Sequence, residues 1–137
     1  MRQLKMKIQL PFLQTVLEDF EFTPIIYGDI DAKELADIIN TELNEDSVLV
    51  ASSDLSHYLS YALAKETDIS TINSILKLDF DLFSRIGDAC GKTGIAALIL
   101  LAKKYNWKPI LLDYKNSGDT AGDKERVVGY SAIAFFG

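Results

Sequence analysis

The sequence predicts one α/β domain over residues 1–137, a three-layer α/β/α arrangement on a mixed, mainly parallel sheet, and three observations carry that expectation. A β-branched apolar run (Phe22–Tyr27), a helical pattern and a second such run (Val48–Ala51) follow one another, the order of a right-handed parallel crossover. A later stretch, Ile95-Ala96-Ala97-Leu98-Ile99-Leu100-Leu101-Ala102, is apolar almost all round, as in a helix deep inside a core. Two further apolar runs, Ile110–Tyr114 and Val127–Phe135, add strands, giving about four in all. With 137 residues and 48% hydrophobic content, the chain has ample material for a core of its own.

Taken in order, Phe12, Leu13, Val16, Leu17 and Phe20 repeat at the spacing of one buried helical face, with Pro11 expected in the first turn, where a missing N–H is tolerated. Phe22-Thr23-Pro24-Ile25-Ile26-Tyr27 reads as a strand closed by Gly28-Asp29. Asp31 caps the next helix, Glu34 completes a capping-box pattern, and Leu35, Ile38, Ile39 and Leu43 form its inner face. Asn44–Ser47 turns the chain into the strand Val48–Ala51. Beyond His57 the pattern is helical, with Ile69, Ile72, Ile75 and Leu76 on one face. Asp79 starts a short helix bearing Leu82, Phe83 and Ile86, and Gly87 stops it. The Gly91-Lys92-Thr93 that follows lacks the spacing and the preceding strand of a phosphate-binding loop, so it reads as glycine-assisted entry to the apolar helix. Asn116–Arg126 has the composition of a polar loop.

Charge and cysteine content narrow the partners and the compartment. A formal net charge of −6 argues against nucleic acid or an anionic membrane as the main partner. No apolar run is long enough to span a bilayer, and Met1–Lys7 lacks the apolar core of a signal peptide. The single cysteine cannot form an internal disulfide. These features together lead us to expect a cytoplasmic protein.

Chemistry concentrates where the second apolar run ends, at Ser52-Ser53-Asp54-Leu55-Ser56-His57-Tyr58, which holds the only histidine in the chain. Open α/β sheets bind ligands outside the carboxyl ends of their strands. Asp54 and His57 can point into one pocket there, the carboxylate orienting the ring or sharing its proton. The alternative is that Ser53 and Asp54 only cap the next helix and His57 is a half-buried surface residue. A lone cysteine such as Cys90 is commonly a small core hydrophobe.

Ser52–Tyr58, Ala89-Cys90-Gly91, Tyr114-Lys115-Asn116-Ser117-Gly118-Asp119 and Val127-Val128-Gly129-Tyr130-Ser131-Ala132, in that order, resemble the Memo family, whose bacterial and archaeal members are called AmmeMemoRadiSam system protein B. The resemblance covers the C-terminal half of a family member. It implies a fold similar to class III (LigB-type) extradiol dioxygenases, which use non-haem iron. It matches Cys90 to a metal ligand and Asp54 and His57 to polar residues beside the metal, with Ser53, Tyr58, Asn116, Ser117 and Asp119 lining the pocket. The family's other two ligands are histidines of the N-terminal half, and its usual Glu-His-Ser-Leu-Glu-like segment is replaced here by Gln3-Leu4-Lys5-Met6-Lys7.

A non-haem iron, copper or zinc site takes three or more protein ligands as a rule. This chain offers one His and one Cys. The expectation is therefore a partial pocket that holds no iron, copper or zinc tightly alone, in a non-catalytic or incomplete half. A homo-oligomer or a complementary N-terminal-half chain would complete it. The other reading is a metal-dependent, dioxygenase-like oxidoreductase with His57, oriented by Asp54, as acid or base.

Overall fold

The computed structural model describes residues 2–137, with side chains placed from residue 8 onward. The chain divides into two compact units, Met1–Ile30 and Asp31–Gly137.

In the first unit, helix α1 runs Arg2–Val16 and contains Pro11 in its interior. Pro11 was expected in the first turn; its missing N–H instead removes one backbone bond from within the helix. Of the expected buried face, Phe12 (69%), Val16 (75%) and Leu17 are exposed, while Leu13 and Phe20 are half-buried. The side chains of Gln3–Lys7 fall outside the described residues. Phe22–Tyr27 carries no strand ladder.

The second unit holds the remaining elements. Helix α2, Ala32–Glu42, is capped by Asp31, which accepts the Lys33 N–H at 2.8 Å, and buries Leu35, Ala36 and Ile39. Strand β1, His57–Leu59, leads into α3, Tyr61–Leu76. Helix α4, Phe80–Ile86, begins where expected, at an Asp79 cap that accepts the Leu82 N–H at 2.9 Å, and ends at Gly87. Helix α5, Lys92–Tyr105, buries Ile95–Ile99 as its composition requires. Strand β2 (Lys108–Asn116), the single turn α6 (Ser117–Thr120) and strand β3 (Val127–Phe136) complete the unit.

The sheet corrects the expectation of mainly parallel pairing. Its three strands lie in the order β1-β3-β2, and both pairings are antiparallel. A short connection such as the one between β2 and β3 can only return the chain antiparallel, whereas a parallel pair needs a long crossover. The parallel pair was to be Phe22–Tyr27 with Val48–Ala51, and neither segment is in a ladder. Without a neighbouring strand the apolar side chains of the second run face solvent, Val48 being 85% and Val50 51% exposed.

Helices cover one face of this sheet. Ile75, Phe83, Ile95, Ala96 and Ile99 form a buried cluster against which Ile133 and Phe135 of β3 pack. Closer to the β1 end, α3 meets the same face through a fully buried carboxylate, Asp68. It accepts the Ser56 N–H at 2.9 Å and the Tyr114 hydroxyl at 2.8 Å. The opposite face, with Tyr130 and Phe136, is exposed.

Candidate functional site

The candidate site lies where the chain enters β1 and where it enters α5. Two reciprocal backbone contacts tie these turns together: Cys90 N–H donates to Asp54 O at 3.2 Å, and Asp54 N–H donates to Cys90 Sγ at 3.1 Å. Ser53 Oγ reinforces the junction by accepting the Gly91 N–H at 2.8 Å, and it stands 3.4 Å from Cys90 Sγ. The approach requires Gly91, because a Cβ there would come within 2.9 Å of Ser53 Cβ. Ser53 therefore serves the junction of the two turns, not a helix cap.

From that junction Asp54 reaches both ways. Its Oδ2 lies 4.0 Å from Cys90 Sγ and 3.5 Å from His57 Nε2. The second distance is an electrostatic contact longer than a tight hydrogen bond. Asp54 and His57 side chains are each 34% exposed, open enough for a small molecule and shielded enough to hold an orientation. Cys90, 36 residues from Asp54 in sequence, and the nearby His57 thus both approach the one Asp54 carboxylate.

Tyr58 flanks the histidine in a strained backbone conformation. Its φ is 60°, in the left-handed region that bulky side chains rarely occupy. The strain accompanies the irregularity in β1, where pairing with β3 shifts register between His57 and Leu59. The exposed Tyr58 ring meets the His57 ring edge-on at 5.8 Å and lies 5.1 Å from the Arg126 guanidinium carbon.

Asn116, Ser117 and Asp119, also expected to line the pocket, make their bonds within α6 and to the adjoining Tyr61 and Val128. Asn116 Oδ1 accepts the Gly118 N–H at 2.9 Å, and Asp119 Oδ2 accepts the Asn116 N–H at 2.8 Å, a complete capping box around α6. Asp119 Oδ1 also accepts the Tyr61 hydroxyl at 2.7 Å. The Asn116 N–H first, then the Tyr61 hydroxyl, hold the Asp119 carboxyl below its usual range. Ser117 Oγ accepts the Val128 N–H at 3.1 Å and so fixes the strand residue paired with His57. Asn116, Ser117 and Asp119 support the site's neighbour strand through these bonds.

Sequence reasoning missed Asp68. Its carboxylate anchors Ser56, next to His57, and holds Tyr114; burial first, then the bond to Asp68, raises the Tyr114 hydroxyl to about 12. A helical aspartate with no cap or partner nearby in sequence gives no signal of burial. Two atoms close in sequence to this network, Ser56 Oγ and Asn116 Nδ2, are buried without a hydrogen-bond partner.

The metal expectation can be set against this donor set. Among the described residues, no group of three His, Cys, Asp or Glu side chains is arranged to hold an ion. Cys90 Sγ already accepts a backbone N–H, and Asp54 Oδ2 is the acidic group nearest to it in these contacts. No helix among the described residues is long and apolar enough to cross a membrane.

Residues 5–134 match the family described as Memo-like protein. A MEMO1 family protein of Methanosarcina mazei is 41% identical over 93% of this chain and 52% of its own length. One from Thermoplasma acidophilum is 38% identical over 93% of this chain and 50% of its own. A third, from Sulfolobus acidocaldarius, is 37% identical over 94% and 50%. The chain spans about half the length of the curated relatives it matches. With the match taking in both turns of the site and nearly the whole chain, the chain belongs to the Memo-like protein family.

Proposed function

We propose that this chain carries one part of a Memo-type metal and substrate pocket and acts as an incomplete, non-catalytic half until a partner completes it. The observation that carries the reading is the convergence of Cys90 Sγ and His57 Nε2 on Asp54 Oδ2, at 4.0 and 3.5 Å. In this reading Cys90 supplies one thiolate ligand to iron, copper or zinc in the full assembly. The histidines that the family resemblance implies come from elsewhere, on a complementary N-terminal-half chain or a second copy. Asp54 orients the His57 imidazole, which holds or accepts a proton at Nε2. The antiparallel sheet would then be one part of a larger three-layer, LigB-like fold in a cytoplasmic protein.

Supporting the need for a partner, the family's length is about twice what this chain covers, and Val48 and Val50 are exposed beside the site. Soluble chains seldom leave such runs uncovered. The test is elemental analysis of the isolated protein after gel filtration. The expected outcome is iron, copper or zinc well below one ion per chain. One tightly held ion per chain, lost in Cys90→Ala, would show instead that ligands from this chain suffice.

A further inference from the structure

The segment from Val48 to Ser53 has the side chains of a strand but stands outside the sheet, and its continuation shows where it belongs. At Leu55 the chain already touches β3: Leu55 N–H donates to Gly129 O at 2.9 Å, and Gly129 N–H donates to Ser56 O at 3.0 Å. Before that point the two segments line a cleft of about 990 Å³. Val48–Ala51 and Ser53, Ser131 and Ile133–Phe135 of β3, and Ile95 and Leu98 of the core helix all line it.

Backbone alternation says what β3 presents to this cleft. Gly129 points its N–H and C=O at Leu55 and Ser56, away from β2. Residues two apart in a strand point the same way. Ser131, Ile133 and Phe135 therefore direct their backbone donors and acceptors into the cleft, and no strand pairs with them on that side among the described residues. An unpaired edge beside a β-prone segment, both already joined at one end, is a ladder that lacks only closure.

We infer that Val48–Ser53 closes onto β3 as an antiparallel strand, in the register Ser53 opposite Ser131, Ala51 opposite Ile133 and Leu49 opposite Phe135. That register continues the existing Leu55 to Gly129 contact without a slip. Closure puts Leu49 and Ala51 on the face packed by α5, against the cluster that holds Ile133 and Phe135. Val48 and Val50 go to the opposite face, where Phe136 also stands. The hinge is Ser53, whose side chain stays on Gly91. The cleft is thus a gap in the sheet that the chain's own segment fills, not a pocket for a ligand. This inference rests on the backbone geometry and not on the proposed metal chemistry.

Cysteine pairs in the full chain test it, in a Cys90→Ser background. Val50→Cys with Ala134→Cys places two side chains opposite each other in the inferred register, within the ~4.4–6.8 Å Cα separation that a disulfide spans. Val48→Cys with Ala132→Cys is four residues out of that register. Under mild oxidation the first pair should cross-link at least about tenfold faster than the second. Equal rates, or no cross-link in the first pair, would overturn the inference. Hydrogen exchange on the unmodified chain gives an independent reading. Slowed exchange at the Ala51 and Ile133 amides supports closure, and exchange of both at the rate of an unstructured peptide overturns it.

Discussion

Gly129→Ala should be among the most damaging conservative substitutions in this protein. A Cβ at this position would overlap Asp68 Oδ2 and lie 2.6 Å from Asp68 Cγ. Backbone cannot yield easily there, because Gly129 is bonded to both Leu55 and Ser56 and sits opposite Asn116 in the sheet. The carboxylate must leave, and with it go the bonds from Ser56 N–H at 2.9 Å and Tyr114 hydroxyl at 2.8 Å. Uncoupling a buried charge from its partners costs about 3–5 kcal/mol, a large share of the ~5–15 kcal/mol that holds a typical domain together. Urea unfolding followed by circular dichroism measures the loss directly. Asp68→Ala makes the cause identifiable, since it removes the group that Cβ would strike. In that background Gly129→Ala should cost under about 1 kcal/mol, a strongly non-additive cycle. A loss below about 1 kcal/mol in the wild-type background, or an equal loss in both, would refute the reasoning.

Two pH dependences follow from the same region. The folded state holds the Tyr114 hydroxyl at about 12 against an ordinary 10.0, so it favours the protonated form. The stability this supplies is complete below pH 10 and is lost as pH rises from 10 towards about 12, and tyrosinate absorbance followed alongside unfolding should show the two together. Asp119 has the opposite sign: its carboxyl is held below 3.8, so its contribution is present above that value and disappears as pH falls beneath it. Asp119→Asn should flatten that acid limb of the stability profile, and an unchanged limb would show that the capping box does not contribute there.

Elements that depend on local chemistry were legible in the sequence. Asp79 and Gly87 marked the two ends of α4, Asp31 marked the start of α2, and the unbroken apolar run fixed the burial of α5. Elements that depend on neighbours were not. A run such as Val48-Leu49-Val50-Ala51 says strand without saying which strand lies beside it, so the sequence predicts a mixed, mainly parallel sheet where the described pairings are antiparallel. Strand β1 escaped notice because three residues with Tyr58 in a left-handed conformation have no periodicity to read. Within the site, the Asp54 to His57 spacing was visible, whereas the approach of Cys90 came only from the family resemblance. Asp68 was invisible because its partners, Ser56 and Tyr114, lie on other elements. Asn116, Ser117 and Asp119 enter as pocket residues through the resemblance alone, and the bonds they make to α6, Val128 and Tyr61 have no signature in the sequence beyond the loop's polar composition.

The proposal that Cys90, Asp54 and His57 form part of a shared site is tested most directly by adding the part of a relative that this chain does not match. The protein would be co-expressed with the portion of the Methanosarcina mazei relative outside the 52% that this chain matches, and the purified material analysed for bound metal and composition. The account predicts that the two chains co-elute and retain close to one transition-metal ion per pair, with the ion lost in Cys90→Ala while the pair still co-elutes. Failure of the chains to associate, or a pair that keeps its metal without Cys90, would contradict it.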